Sequence, residues 1–388
     1  MYLFKKCLYD HLSSNILYIC LIAFFWYANK PGILERKFFA NEIFSIIGFF
    51  LFLSKPVLYI RKDYIYNTVI VILSVFFFYM VLSLFIFENF HGYLRNTVIV
   101  YSVFSFFLGL RLFGTLSRIS KTNLFFLSAL FPSGSFYRTS YAVLLPLYLS
   151  RYSNTFNIVS LFGLISVMAG VAVYYGGQTA FLVILMLLLL HIMNRWIQIV
   201  AFICLALLSA SFFIFINPYM DALLEGNWYS VEGKHILLGL DANMTMRFYF
   251  WGYVFLERFS GNLFGIGLGT PLMSEYFVRY QLFLQHGLKG GELIEYTLGP
   301  HNSYLTILAR CGIIGIIPFI VLYWKLTADF IQCKANPIHR KQIFFFYAFF
   351  IISGSATVNV VLESPMQASL YWGTLGMLCQ ARRDNAYT

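Results

Sequence analysis

The sequence predicts an all-α, polytopic membrane protein with about twelve transmembrane helices and one large external excursion. Three observations carry this. Apolar residues make up 60% of the 388 positions and charged ones 11%, where a soluble domain carries roughly 25% charged residues. Several apolar runs reach the ~20 residues needed to cross a ~30 Å hydrocarbon core. Lysine and arginine are distributed unevenly between alternate loops, as insertion into a membrane favours.

Taken in order, the runs place spans at about 12–28, 38–54, 64–87, 97–112, 119–132, 136–150, 155–175, 178–193, 196–216, 303–325, 342–358 and 366–380. The fifth and sixth are short. The first follows Lys5-Lys6 and exits through Trp26-Tyr27-Ala28-Asn29-Lys30-Pro31. That exit lacks the small-residue pattern of a signal-peptide cleavage site, so the segment reads as a retained anchor. An even number of spans puts both termini on one side. That side carries Lys5, Lys6, Lys55, Arg61, Lys62, Arg111, Arg118, Lys121, Arg151, Arg195, Lys325, Lys334, Arg340, Lys341, Arg382 and Arg383. The short loops opposite carry only Lys30, Arg36, Lys37, Arg95 and Arg138. The positive-inside rule then orients both termini to the cytoplasm. The formal charge of +11 is therefore topological. No basic stripe supports a nucleic-acid partner.

The six cysteines are Cys7, Cys20, Cys204, Cys311, Cys333 and Cys379. All fall in spans or cytoplasmic segments, no pair has zinc-ligand spacing, and they read as packing residues. Three regions follow: an N-terminal bundle of about nine spans over 1–216, an external excursion over 217–301, and a three-span segment over 302–388. The excursion is too long for a connector. Its aromatic run Phe248-Tyr249-Phe250-Trp251-Gly252-Tyr253 argues against disorder. Residues 244–259 read as a helix, apolar around nearly its whole circumference, either buried or lying at the membrane interface.

The candidate chemistry sits in and around this excursion. Arg247 falls in the first turn of that helix, where a fixed guanidinium and the positive helix end both favour an anion. The bland alternative is an ion pair with one of the acidic residues nearby. Arg258, eleven residues on, returns to nearly the same face at ~100° per residue, and can extend the stripe or simply reach water. Phe264-Gly265-Ile266-Gly267-Leu268-Gly269 lacks the strand–helix context of a nucleotide loop. It reads as a tight turn that can still bring amides near a lipid-linked phosphate.

Pro300-His301-Asn302-Ser303-Tyr304-Leu305 places a titratable imidazole at the mouth of the tenth span. A histidine near neutral pKa can take a proton from a hydroxyl or, when charged, hold a phosphate; the bland alternative is a hydrogen-bonded interfacial histidine. A helix beginning at Asn302 would let Tyr304 continue the His301 face. Arg310 lies inside the same span, roughly 12 Å deep, and an intramembrane arginine is a functional candidate. It falls on the opposite face from His301. Glu363, between the last two spans, can pair with Arg310 or accept a proton itself. Arg138 is a further external cation, a phosphate contact or an ordinary loop charge.

In combination these residues resemble a known family. Arg247 in an aromatic helix, then Asn262-Leu263-Phe264-Gly265-Ile266-Gly267-Leu268-Gly269, Pro300-His301-Asn302-Ser303-Tyr304-Leu305 and Cys311-Gly312-Ile313-Ile314-Gly315 are similar to motifs of the O-antigen polymerase and O-antigen ligase superfamily. The resemblance covers about residues 245–325 at motif level. Two positions depart from the family pattern, Arg310 where an acidic residue is common and Gln178 where an arginine is. The resemblance implies a GT-C-like helical architecture in the bacterial inner membrane. It implies a metal-independent inverting glycosyltransferase without cofactor, acting at the periplasmic face on an undecaprenyl-diphosphate-linked glycan. Arg247 would contact the diphosphate and His301 the acceptor or phosphate. The residues themselves, not the resemblance, add Arg258, Arg138, Asn302, Tyr304, Glu363 and Arg310 as lesser substrate contacts. Membrane lipid surrounds such an enzyme, and a chain-length regulator is a further candidate partner. A polymerase is favoured over a ligase passing glycan to lipid A-core. A lipid-linked oligosaccharide flippase is the alternative outside enzymes, although no repeated halves of the transporter kind are visible.

Overall fold

A computed structural model of the protein describes residues 42–54, 63–116, 194–200, 203–204, 247, 250–255, 263–272, 300–335, 340–357 and 360–386. The first expected span, the fifth to eighth, and most of the ninth lie outside these residues, as do Arg138, Gln178 and Arg258. Among the described residues all regular structure is helical. Helix α1 runs Glu42–Ser54, α2 Tyr64–Ser83, α3 Phe90–Asn96 and α4 Val98–Tyr101. A 3-10 turn at Ser102–Phe104 leads into α5, Ser105–Leu116. After the excursion come α6, Ser303–Ala335, α7, Arg340–Ala356, and α8, Pro365–Ala386. Among the described residues three stretches are long and apolar enough to cross a membrane: Tyr64–Ser83, Gly92–Arg111 and Ser303–Cys333.

These stretches form for local reasons. Asp63 caps α2, its side chain accepting the Ile65 N–H at 2.7 Å, and Asn89 caps α3 by accepting the Gly92 N–H at 3.0 Å. Outward faces stay apolar. Phe77 and Phe78 on α2 are 56% exposed and Ile320 on α6 is 51% exposed, a surface suited to lipid and costly in water. The interior is aromatic. Phe319, Trp372, Tyr371, Phe76 and Phe346 are essentially inaccessible, with the Phe319 and Trp372 ring centroids 6.0 Å apart.

Helix α8 is the informative exception. It is not among the three most apolar stretches, yet Trp372, Leu375, Leu378 and Cys379 are fully buried. It packs against both α5 and α7. A helix covered by protein needs no lipid-facing stripe, so its span signal is weak although its position is central. Its approach to α5 is close: a Cβ at Gly376 would stand 2.1 Å from the Phe106 carbonyl oxygen, and one at Gly109 2.1 Å from that of Gly373. Small residues of this kind let helix backbones meet in a membrane protein.

Opposite ends of the bundle have different chemistry. At one end Arg382 of α8 meets Asp63 at 3.0 Å and Asp329 of α6 at 2.6 Å. The Tyr64 hydroxyl donates to Asp329 at 2.7 Å, and the guanidinium lies over the Tyr64 ring, 4.5 Å from its centroid. This joins the start of α2 to the late parts of α6 and α8, so α2 runs antiparallel to both. Nearby, Gln198 donates to the Trp324 carbonyl at 3.0 Å and the Thr327 hydroxyl at 3.1 Å, tying the start of the ninth expected span to α6. The other end gathers Ser83, Tyr93, residues 263–272, His301 and Glu363.

Candidate functional site

The second end is organised by a break in α6. Gly312 adopts φ 60° and ψ −162° inside that helix, a conformation open essentially to glycine alone. In an unbroken helix the Ala309 carbonyl would accept the Ile313 N–H. Here the excursion supplies the missing partners. The Ala309 carbonyl accepts from Ile266 N–H at 2.9 Å, the Arg310 carbonyl from Gly267 N–H at 3.0 Å, and Ile313 N–H donates to the Leu263 carbonyl at 3.1 Å. Backbone groups freed within a membrane protein need such partners, because lipid offers none.

The glycine-rich turn is thus a wedge in α6. Gly265, Gly267 and Gly269 all have positive φ, and a Cβ at Gly265 would stand 2.5 Å from the Arg310 carbonyl oxygen. Leu268 N–H donates to the Ser83 hydroxyl at 2.7 Å, fixing the turn to the end of α2 as well. The expectation that this turn offers amides to a phosphate is corrected for these three donors. Ile266, Gly267 and Leu268 each spend theirs on protein acceptors.

Arg310 belongs to the same wedge. It is 2% exposed, and its Nη1 donates to the Gly267 carbonyl at 3.1 Å and the Thr270 carbonyl at 3.2 Å. The cost of an intramembrane guanidinium is offset by holding the turn in place. Its charge also reaches Glu363, where it favours the carboxylate, but the direct partner of Glu363 is Ser303.

His301 lies at the mouth of α6, with φ 50°, in the left-handed region that non-glycine residues seldom occupy. Both of its flanks are tethered. Before it, the Trp251 indole N–H donates to the Pro300 carbonyl at 2.6 Å. After it, Asn302 caps α6, its side-chain oxygen accepting the Leu305 N–H at 3.1 Å. Ser303 then gathers the 361–364 turn: its hydroxyl accepts Val361 N–H at 2.9 Å and Leu362 N–H at 3.0 Å, and donates to a Glu363 carboxylate oxygen. Burial raises the pKa of Glu363, while Ser303, Thr306 and Arg310 oppose that rise.

The excursion brings Arg247 to this mouth. Residues 247 and 250–253 are helical, with a π turn at 254–255, and Phe250 and Val254 are fully buried. Burial holds the His301 pKa below its ordinary 6.5, and the nearby Arg247 cation lowers it further. Guanidinium and imidazole, far apart in the chain, therefore share one electrostatic environment. A neutral imidazole can accept a proton from a hydroxyl, and a guanidinium beside it can meet a phosphate.

The remaining candidates divide. Asn302 is engaged as a cap. The Tyr304 hydroxyl is committed to the bundle, pairing with Tyr323 and donating to the Ser353 carbonyl at 3.2 Å. Tyr323 in turn pairs with Tyr371 at 2.7 Å. Arg258 and Arg138 lie outside the described residues. Two residues gain importance that the sequence alone did not assign. Ser303 is a hydrogen-bond hub although it stands in an ordinary first-turn position. Trp251 is a tether, where its aromaticity suggested only an interfacial residue. Among the described residues no cluster of three or more histidine, cysteine or acidic side chains could hold a metal, and Cys204, Cys311, Cys333 and Cys379 are free thiols. No protein-family model matches the chain, and no curated protein matches it.

Proposed function

We propose that the protein is an O-antigen polymerase, extending a repeat-unit polysaccharide at the periplasmic face of the bacterial inner membrane. In this reading it spans the membrane about twelve times with both termini cytoplasmic, in a GT-C-like bundle. The donor is an undecaprenyl-diphosphate-linked glycan and the acceptor a second lipid-linked repeat unit. One observation supports it above the others: Trp251, four residues after Arg247, donates its indole N–H to the Pro300 carbonyl at 2.6 Å, which sets the excursion beside His301 at the mouth of α6, at the end of the bundle away from the Arg382 charge cluster.

The reaction uses what these two groups can supply. An acceptor hydroxyl oxygen attacks the anomeric carbon of the donor sugar from the face opposite the diphosphate. The new glycosidic bond forms as the bond to the diphosphate oxygen breaks, inverting the centre. His301, kept neutral by burial and Arg247, takes the hydroxyl proton. Arg247 stabilises the charge that develops on the departing undecaprenyl diphosphate, as preorganised donors do for leaving groups generally. Glu363 fixes the entrance to α6 through Ser303.

The test is a lipopolysaccharide gel from a deletion strain carrying the wild-type gene, Arg247→Ala or His301→Ala. Each variant should reach wild-type membrane levels, and its glycan should stop at one repeat on the core. Wild-type polymer length in either variant overturns the assignment. Loss of every repeat from the core would instead identify a ligase. Incorporation of repeats by purified protein, in one-sided liposomes that display the substrate, separates an enzyme from a flippase.

A further inference from the structure

We infer that Trp251 is a positioning residue that holds His301 at the mouth of α6, within reach of the Arg247 charge, through its hydrogen bond to the Pro300 carbonyl. Its consequence for catalysis rests on the polymerase reading, whereas the contact itself rests on geometry alone.

Arg247 and Trp251 are four residues apart in the excursion helix, which places them on one face. That face meets the 300–301 segment through the indole, and the Arg247 charge acts from the same side. The indole N–H reaches the Pro300 carbonyl at 2.6 Å, 49 positions away in sequence, and the guanidinium acts on the imidazole of the next residue. Proline has no N–H to offer, so this carbonyl is its only backbone hydrogen-bonding group, and the indole holds it. On the other flank, Asn302 caps α6 and Ser303 is held by Val361, Leu362 and Glu363.

His301 is therefore suspended between two anchors, with a φ of 50° that non-glycine residues seldom adopt. Such a conformation persists only while its surroundings enforce it. Without the indole tether the chain before His301 can relax to an ordinary backbone, and the imidazole moves toward water and away from Arg247. Both influences that keep it neutral then weaken. Among the described residues the charged groups that bear on this arrangement are Arg247 on the excursion helix and Glu363, which acts through Ser303 on the first turn of α6.

The experiment follows carbethoxylation of His301 by diethyl pyrocarbonate across pH in the purified full-length protein, with the peptide that contains it read by mass spectrometry. Only the neutral imidazole reacts, so the midpoint reports His301 without requiring any activity. The wild-type midpoint is expected below 6.5. Trp251→Phe should move it up toward the ordinary value and lower turnover by ~10–100-fold with a smaller change in KM, as misplacement of a reacting group does. Benzothienylalanine in place of Trp251 keeps the bicyclic ring and lacks the N–H, and should do the same without disturbing packing. In an Arg247→Gln background the shift caused by losing the tether should shrink, because the two act on one group. A wild-type midpoint in the isostere, or an equal shift in both backgrounds, overturns the inference. A shifted midpoint in a protein with no polymerase activity would sink the polymerase reading and leave the tether standing.

Discussion

Replacing Gly312 by alanine tests whether the break in α6 and the glycine-rich wedge form one device. The added Cβ would stand 1.9 Å from the Leu263 carbonyl oxygen and 2.8 Å from the Gly265 nitrogen. Both are backbone atoms, so no side chain can swing aside. Alanine at φ 60°, ψ −162° also carries a backbone penalty of about 1–3 kcal/mol. Relief requires expelling the wedge, which forfeits the three backbone hydrogen bonds of Ile266, Gly267 and Ile313 at roughly 1 kcal/mol each. Retaining the strain or expelling the wedge thus costs about 3 kcal/mol, a sizeable part of the ~5–15 kcal/mol that holds a typical protein folded. Gly373→Ala is the control. It lies within α8 and its nearest neighbour would be the Ser105 carbonyl oxygen at 3.8 Å, so it should be neutral or stabilising by about 0.5–1 kcal/mol. The assay is membrane abundance by immunoblot, with the thermal midpoint of the purified protein in detergent. Gly312→Ala at wild-type abundance and melting temperature would refute the wedge, whatever Gly373→Ala does.

Two further outcomes are expected. Arg382→Ala leaves Asp63 and Asp329 facing each other without their shared cation. Since all three are partly exposed, the loss should be about 1–3 kcal/mol, and it should be larger than that of Asp63→Asn or Asp329→Asn alone; a melting temperature within error of wild type would show that the cluster holds nothing together. His301 binds protons less readily folded than unfolded. Its contribution to stability is therefore fully present above the ordinary pKa of 6.5 and lost as pH falls through the lower folded value. Wild-type protein should accordingly lose stability faster than His301→Gln as pH is lowered from neutrality, and parallel melting curves for the two would contradict the burial of a neutral imidazole.

Much of the helical frame is legible in the linear chain, and particular elements show why. The expected spans at 64–87 and 342–358 correspond to α2 and α7 within a few residues, because a bilayer imposes one length and one polarity on whatever crosses it. A helix beginning at Asn302 was one starting point the sequence offered, and the structure makes Asn302 its cap. Helix α8 was less legible. Its true length, Pro365–Ala386, exceeds the expected 366–380, since a helix enclosed by neighbours tolerates polar residues at its ends. The glycine-rich segment was legible as a tight turn, and the positive φ of Gly265, Gly267 and Gly269 bears that out, but hydrogen-bond donors do not reveal their acceptors in sequence, and here the acceptors are Ala309, Arg310 and Ser83.

By itself, then, the sequence determined the long apolar helices that the described residues show and the residue types from which a site can be assembled. Those follow from composition and from patterns that repeat within a single turn or span. Tertiary structure alone decided that Arg310 serves the wedge in α6, that Tyr304 serves the bundle, and that Trp251 is tied to the residue before His301. The physical reason is that hydrophobic burial is written locally, residue by residue, whereas a hydrogen bond or charge pairing across the chain exists only once packing has brought its two ends within a few ångströms.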